Sequence, residues 1–387
     1  MYQKYYQRFL KSNEGVQHYA CHSHHYWPDV TREAMLEYWD DSARLVDGKW
    51  DYIFSEKIPS AQKLIAEVLN LSHPEQIVFA PNTHEFLYRL LSCFFEKDKI
   101  KILTTDSEFY SFERQIKRLI ESGKVELKII STLPYETFEE RFKNEIDLAK
   151  KSNLFFDMVF LSQVFFNSGV VLNDLENLVT TIPEKTMIVV DGYHGFMAIP
   201  TNLSSVEDRI FYIAGSYKYA QGGEGCCFMS VPKSSRHRPE YTGWFASFSQ
   251  LAMGYEGEIL YSYDGLRFAG STMDFSALYR LISVLNLFKN EGLTTQKIHE
   301  FVQKLQFNFL KDLDKLNHPI LNRKQLQAMD LGHHGHFLTF DTKSSTCAKD
   351  LVESLEKELI KVDYRGSRLR FGFGLYQEEN INFKNFK

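Results

Sequence analysis

Between about residue 77 and residue 230 the chain alternates short, mostly apolar runs with longer stretches whose apolar residues recur at helical spacing. Ile77-Val78-Phe79-Ala80 is the first such run. Ile100 to Leu103, Val125 to Ile130, Phe155 to Val164, Met187 to Val190 and Ile210 to Ala214 follow. Runs of this length without polar alternation predict strands buried on both faces. The stretches between them predict helices: one through Phe86, Leu87, Leu90, Leu91 and Phe94, then 107–121, 135–151 and 175–181. This rhythm predicts a mostly parallel sheet with helices on both faces. In such sheets ligands sit beyond the carboxyl ends of the strands. Thr83, Asn167, Asp191 and Lys218 each stand just after a predicted strand, so the fold would gather them at one edge.

The flanks read differently. Cys21-His22-Ser23-His24-His25-Tyr26-Trp27-Pro28 predicts an irregular loop, followed by a helix from Thr31, as N-cap, to Asp41. Pro59-Ser60-Ala61 opens the next helix. After Phe228, residues 261–272 read as loop and 275–290 as a helix. A helix over 294–314, a strand at Phe337 to Phe340, a helix from Cys347 to Leu359 and strands at Lys361 to Tyr364 and Leu369 to Phe373 complete the chain. The pattern predicts an N-terminal arm and helix (1–50), a large α/β domain (51–274), and a connecting helix with a small α+β domain (275–387).

The 387 residues are 44% hydrophobic and 25% charged, as in an ordinary globular protein. A formal charge of −5 and the lack of a basic run argue against nucleic acid and anionic membrane as partners. Five scattered cysteines fit reduced thiols rather than a disulfide framework, and no leader-like apolar segment opens the chain, so a cytoplasmic location is expected.

Lys218 ends a predicted buried strand, in Ser216-Tyr217-Lys218-Tyr219, just before the turn Gly222-Gly223-Glu224-Gly225. Lysine is rarely buried without a partner or a task. Burial lowers its pKa and suits it to form a Schiff base with pyridoxal phosphate (PLP) or another carbonyl. A surface lysine in a tight hairpin is the competing reading. Asp191, 27 residues earlier, closes the run Val189-Val190-Asp191-Gly192-Tyr193-His194. A carboxylate there could hold a pyridine nitrogen protonated, which makes the ring an electron sink. A turn aspartate is the plain alternative. Thr83, at a helix start, can cap it and bind a phosphate. His22, His24 and His25 with His333, His334 and His336 raise a metal-dependent enzyme, but no acidic or cysteine partner completes a ligand set, so no metal is predicted.

Val190-Asp191-Gly192-Tyr193-His194-Gly195, followed by Ser216-Tyr217-Lys218-Tyr219 and the glycine turn, resembles the PLP-dependent enzymes of fold type I. Within them it is similar to the class V aminotransferase superfamily, nearest the kynureninase branch, over about residues 77–376. The resemblance implies the aspartate aminotransferase-like fold, PLP as cofactor, an amino acid as substrate, and a homodimer with the active site at its interface. It also implies roles. Lys218 would carry the cofactor and move protons at the substrate α-carbon. Asp191 would bind the ring nitrogen, with His194 beside it. Asn82, Thr83, Tyr217 and Ser216 would hold the phosphate. Phe109 stands where these enzymes place a ring-stacking histidine; it can stack but not transfer a proton. Asn167 would contact the cofactor's 3-oxygen or phosphate. Ser271 and Thr272, after Gly270, resemble the segment that reaches a phosphate across the dimer. Arg370 would grip the substrate carboxylate. Trp244 matches a kynureninase pocket aromatic, and His24 would face the substrate from the arm.

The reaction is less determined. A kynureninase would carry Trp shortly before Ser-Tyr-Lys, where Ala214-Gly215 stand, and Asn where Gly270 follows Arg267-Phe268-Ala269. A cysteine desulfurase needs a mobile nucleophilic cysteine. Cys347 opens a predicted helix instead of following it, and Lys361 to Arg368 contain none. By elimination the expectation is amino-group transfer on an amino acid. Hydrolytic side-chain cleavage is the main alternative, with a desulfurase-like lyase and a non-catalytic scaffold behind it.

Overall fold

Seven strands form the main sheet of the computed structural model, which describes residues 2–253, 257–328, 330–381 and 383. In chain order they are β1 (Ile77–Ala80), β2 (Ile100–Thr105), β3 (Val125–Ile130), β4 (Met158–Ser162), β5 (Met187–Asp191), β6 (Ile210–Gly215) and β7 (Cys227–Ser230). Their spatial order is β1-β7-β6-β5-β4-β2-β3. Strands β3, β2, β4, β5 and β6 pair in parallel, and β7 is antiparallel to both its neighbours. Every residue of β1, β4, β6 and β7 is buried. That double-sided burial is why these strands read as unbroken apolar runs. The edge strand β3 carries Glu126 and Lys128, charges that blunt an open edge.

The helices follow the expected periodicity: α1 (Val30–Leu45), α2 (Ile58–Leu69), α3 (Thr83–Ser92), α4 (Tyr110–Glu121), α5 (Phe138–Lys151), α6 (Leu175–Thr181) and α7 (Ser276–Asn290). The last contributes Leu278, Leu281, Val284 and Leu285 to the same core as the sheet. A second core lies under α8 (Thr295–Leu316) and α9 (Ser345–Lys357). Its antiparallel sheet runs β9-β10-β8, from β8 (Phe337–Asp341), β9 (Asp363–Arg365) and β10 (Arg368–Gly372). The architecture is the expected one: a large α/β layer with a mostly parallel sheet, plus a smaller α+β unit. Among the described residues no helix is long and apolar enough to cross a membrane.

The N-terminal arm ties the two cores together. Tyr6 is buried in the first and Tyr19 in the second. Gln17–His18 pairs in parallel with Ile360–Lys361, which splits the expected strand 361–364: Lys361 pairs with the arm, and Asp363 to Arg365 with β10. Two caps also differ from expectation. α1 begins at Val30, so Thr31 lies inside it, its hydroxyl donating to the Pro28 carbonyl at 2.8 Å. α3 is capped by Asn82, whose Oδ1 accepts from the Glu85 N–H at 3.0 Å; Thr83 is the first helical residue.

Strand register sets the site. Ser162 is paired with Asp191, and Asp191 with Ile213, so β4, β5 and β6 end side by side. Gly192, next to Asp191, donates its N–H to the Ile213 carbonyl at 2.8 Å. A Cβ on it would lie 2.0 Å from the Tyr212 ring. Gly192→Ala should therefore push Tyr212 aside and cost about 1–3 kcal/mol, as overpacking does. A urea melt checks this, and an unchanged midpoint would show that the ring yields freely.

Candidate active site

A cavity of about 400 Å³ opens beyond the ends of β1, β4, β5 and β6. Asn82, Thr83, Phe109, Asp191, His194, Tyr217 and Lys218, all expected from the sequence, line it. The sequence reading missed Ser111, Ser162, Val164, Phe166, Tyr193 and Cys227, which share the wall.

Lys218 reaches the cavity from a turn that is pinned at several points. The Ser216 N–H donates to the Cys226 carbonyl at 2.9 Å, the Gly222 N–H to the Ser216 carbonyl at 2.8 Å, and the Gln221 N–H to the Lys218 carbonyl at 3.0 Å. Arg280 of α7 donates from Nε to the Gly222 carbonyl at 2.7 Å and from Nη2 to that of Glu224. Gly223 takes φ +72° and a Cβ there would lie 2.5 Å from the Trp27 ring, so glycine is required. The Lys218 nitrogen faces rings: 4.8 Å from the Tyr193 centroid and 5.5 Å from that of Phe109. Burial pushes its pKa down to about 7, against the opposing pull of Asp191.

Around it the other groups respond to the same burial. The Asp191 carboxyl is raised by burial, with the Tyr193 N–H, bonded to Oδ1 at 2.9 Å, and Lys218 acting against that. His194 is held neutral by burial and by the positive charges of Lys218 and Arg370. Both its ring nitrogens are buried without a hydrogen-bond partner. The start of α3, Asn82 to His84, lies on the cavity wall, and a helix N-terminus is a setting for a phosphate.

Other expected site residues lie elsewhere. The Asn167 amide donates to the Asp106 carbonyl at 2.9 Å, and Phe166 lines the cavity in its place. The Ser216 hydroxyl is committed to the Gly223 carbonyl. Trp244 donates to Thr272 Oγ1 at 3.2 Å within an aromatic cluster with Trp50, Phe245 and Phe248, and exposed Ser271 lies beside it, outside this cavity. His24 lies 6.0 Å from the Tyr217 ring, outside the cavity wall. Arg370 is buried behind Phe166, its guanidinium 4.8 Å from that ring's centroid.

The histidine segments separate. His22 bonds Asp363 at 2.9 Å, His25 the Tyr26 carbonyl at 2.7 Å and His336 the His299 ring at 3.1 Å, while exposed His333 meets Asp330. Among the described residues no three His, Cys, Asp or Glu side chains are grouped to hold a metal ion.

The family model "Aminotransferase class-V" matches residues 27–370. The chain belongs to this class V family. Solved structures match over nearly the whole length. A mutant of C-DES with glycine covalently linked to its PLP cofactor has TM-score 0.77 at 16% identity, over 95% of this chain and 94% of that one. A second C-DES structure is a complex of this cystine C–S lyase with its product cysteine persulfide (TM-score 0.71, 16% identity, 95% of each chain). The Escherichia coli cysteine desulfurase CsdA gives 0.75 at 13% identity, over 98% and 95%. The apo cysteine desulfurase of Thermococcus onnurineus NA1 gives 0.72 at 19%, over 95% and 92%. Comparison with curated protein sequences finds no match. At these identities the likeness establishes the fold. It also overturns the expected kynureninase branch, because these structures are a C–S lyase, desulfurases and a NifS-like protein.

The residues fit the family's cofactor: a buried amine near neutrality, a carboxylate across the cavity, an imidazole with two unpaired nitrogens, and a helix N-terminus. The chain is a PLP-dependent enzyme. Because Lys218 is protonated below about pH 7 and free to attack above it, the rate at which apoprotein captures PLP should rise through pH 7 and then level off. Stopped-flow absorbance of the yellow band checks this. An ordinary lysine would keep gaining rate to about pH 10.

Proposed function

We propose that this class V enzyme is a carbon–sulfur lyase that eliminates sulfur from a β-sulfur amino acid such as cystine, with no cysteine nucleophile of its own. The observation that carries the reading is the full-length likeness to C-DES and to cysteine desulfurases, taken together with where the five cysteines sit. Cys227 is the one on the cavity wall, and burial pushes its thiol up to about 12, so the thiolate is scarce. Cys347 lies in the first turn of α9, with its N–H donated to Ser344 Oγ at 3.1 Å. The segment 361–368 has none. A desulfurase that takes sulfur onto its own mobile cysteine is therefore disfavoured, and a lyase that lets the sulfur product go is favoured. Amino-group transfer, the expectation from sequence, gives way on the same comparisons.

Bound PLP supplies an electron sink for charge developed at the substrate α-carbon. The rest falls to the chain's own groups. With the cofactor bound, Asp191 would keep its ring nitrogen protonated, the start of α3 with Asn82 and Thr83 would hold its phosphate, and Phe109 would stack on its ring. Lys218 Nζ, a free amine near neutral pH, takes the α-proton. The Cβ–S bond then breaks with its electron pair on sulfur, and the proton returns to the departing sulfur. Water converts the three-carbon remainder to pyruvate and ammonia. Val164 and Phe166 keep the cavity apolar where sulfur would leave. In this reading Ser271 and Thr272, exposed and outside their own chain's cavity, serve a partner subunit's phosphate.

Incubation of holoenzyme with L-cystine should yield pyruvate and ammonia in equal amounts, together with persulfide. Cys347→Ser should leave the rate unchanged. Lys218→Ala should lower it by about 10²–10⁴-fold, the usual loss of a general base. Transfer of the amino group to an added 2-oxo acid, without pyruvate from cystine, would instead make the enzyme a transferase.

A further inference from the structure

Arg370, read above as the grip for a substrate carboxylate, already holds one. Its Nε and Nη2 donate to the two oxygens of Asp363, each at 2.8 Å. Its Nη1 donates to the Phe166 carbonyl at 3.3 Å, and the Phe166 ring covers its face. The pair is set by register, since Asp363 and Arg370 are directly opposed across β9 and β10. It is also sealed, with side-chain exposures of 3% for Arg370 and 14% for Asp363. Asp363 has two further partners: His22 Nε2 at 2.9 Å and Arg365 Nη1 at 3.3 Å. His22 arrives from the N-terminal arm and fits because Gly372 has no side chain; a Cβ there would lie 2.4 Å from His22 Nδ1. Burial alone would raise the Asp363 carboxyl, but His22 and Arg370 hold it well below the usual carboxylate range, so it is charged throughout the working pH range.

We propose that Asp363 is a built-in competitor for the substrate carboxylate: it occupies the Arg370 fork in the free enzyme and yields it by shifting onto His22 and Arg365. Separating a buried Arg–Asp pair is unfavourable, and two carboxylates against one guanidinium repel. The α-carboxylate therefore adds little net affinity. Small amino acids with nothing else to offer bind poorly, while a long sulfur-linked substrate gains its affinity along the aromatic wall of the cavity. Asp363 acts through Arg370 and is a specificity-determining residue. The inference rests on the reading that Arg370 meets the substrate carboxylate.

The test compares L-alanine, which has no leaving group, with ethylamine, the same ligand without its carboxylate. Binding to holoenzyme is followed by the shift of the cofactor absorbance. Asp363→Asn should bind alanine at least about tenfold tighter, with ethylamine changed less than about twofold. Asp363→Ser should do the same and serves if the Asn variant does not fold. Alanine binding that is unchanged or weakened relative to ethylamine would overturn the proposal. So would a wild-type preference for alanine over ethylamine above about a thousandfold, which a free arginine fork would give. Arg370→Gln separates the two layers. If it weakens both ligands equally, Arg370 is not the carboxylate grip and the underlying reading fails. If it weakens alanine selectively while Asp363→Asn leaves the ratio unmoved, the role of Asp363 alone fails.

Discussion

An amine that stays uncharged near neutral pH is the constraint on which this protein's chemistry depends. Moving Lys218 from the ordinary lysine range to about 7 corresponds to about 5 kcal/mol of bias against the ammonium. Rings supply that bias by standing where water would stand, and the surrounding structure has to keep them there. Arg280 holds the turn from α7 by two backbone carbonyls, and Trp27 of the arm lies against Gly223 from outside. The arm and the connecting helix, both far from the strands in sequence, thus close the wall that tunes the amine.

What the sequence showed well was a charge where the burial pattern leaves no room for one. Asp191 and Lys218 each close an unbroken apolar run, and strands buried on both faces are the only elements that give such runs here. Their convergence follows from parallel topology, which short strands linked by helical segments imply. The side-by-side ending of β4, β5 and β6 depends on register, and periodicity carries no register information. The cap at α3 failed for a similarly local reason: Asn82 and Thr83 are both good caps, and only the extended backbone of Asn82 decides between them.

The misses share a cause, which is partners that the apolar pattern does not reveal. Asn167 and Phe166 follow the same strand, and the phenylalanine lines the cavity while Asn167 ties back to Asp106. The Ser216 hydroxyl looks available in sequence but is consumed by its own turn. His22 was read with His24 and His25 as a cluster, whereas its partner Asp363 lies 341 residues away. Arg370 was legible as a buried cation on an apolar strand. The acid that neutralises it was not, because a two-residue turn places Asp363 opposite it across a hairpin.

Among the buried groups of this cavity, acid–base chemistry near neutral pH falls to Lys218. Among the buried side chains of its wall, His194 is held neutral, the Cys227 thiol is held protonated, and only Lys218 is brought near neutrality. Phe109 removes the second base that a histidine would have supplied. Rings at Phe109 and Phe166 line part of the wall, with Phe109 facing Lys218, while His84 and Glu224 stand on the rest of it. Elimination of sulfur asks for little. A thiolate or persulfide is a weak base that leaves with little assistance, and the proton removed from carbon can balance its charge. One amine, free at neutral pH and surrounded by rings, is enough for the elimination proposed above.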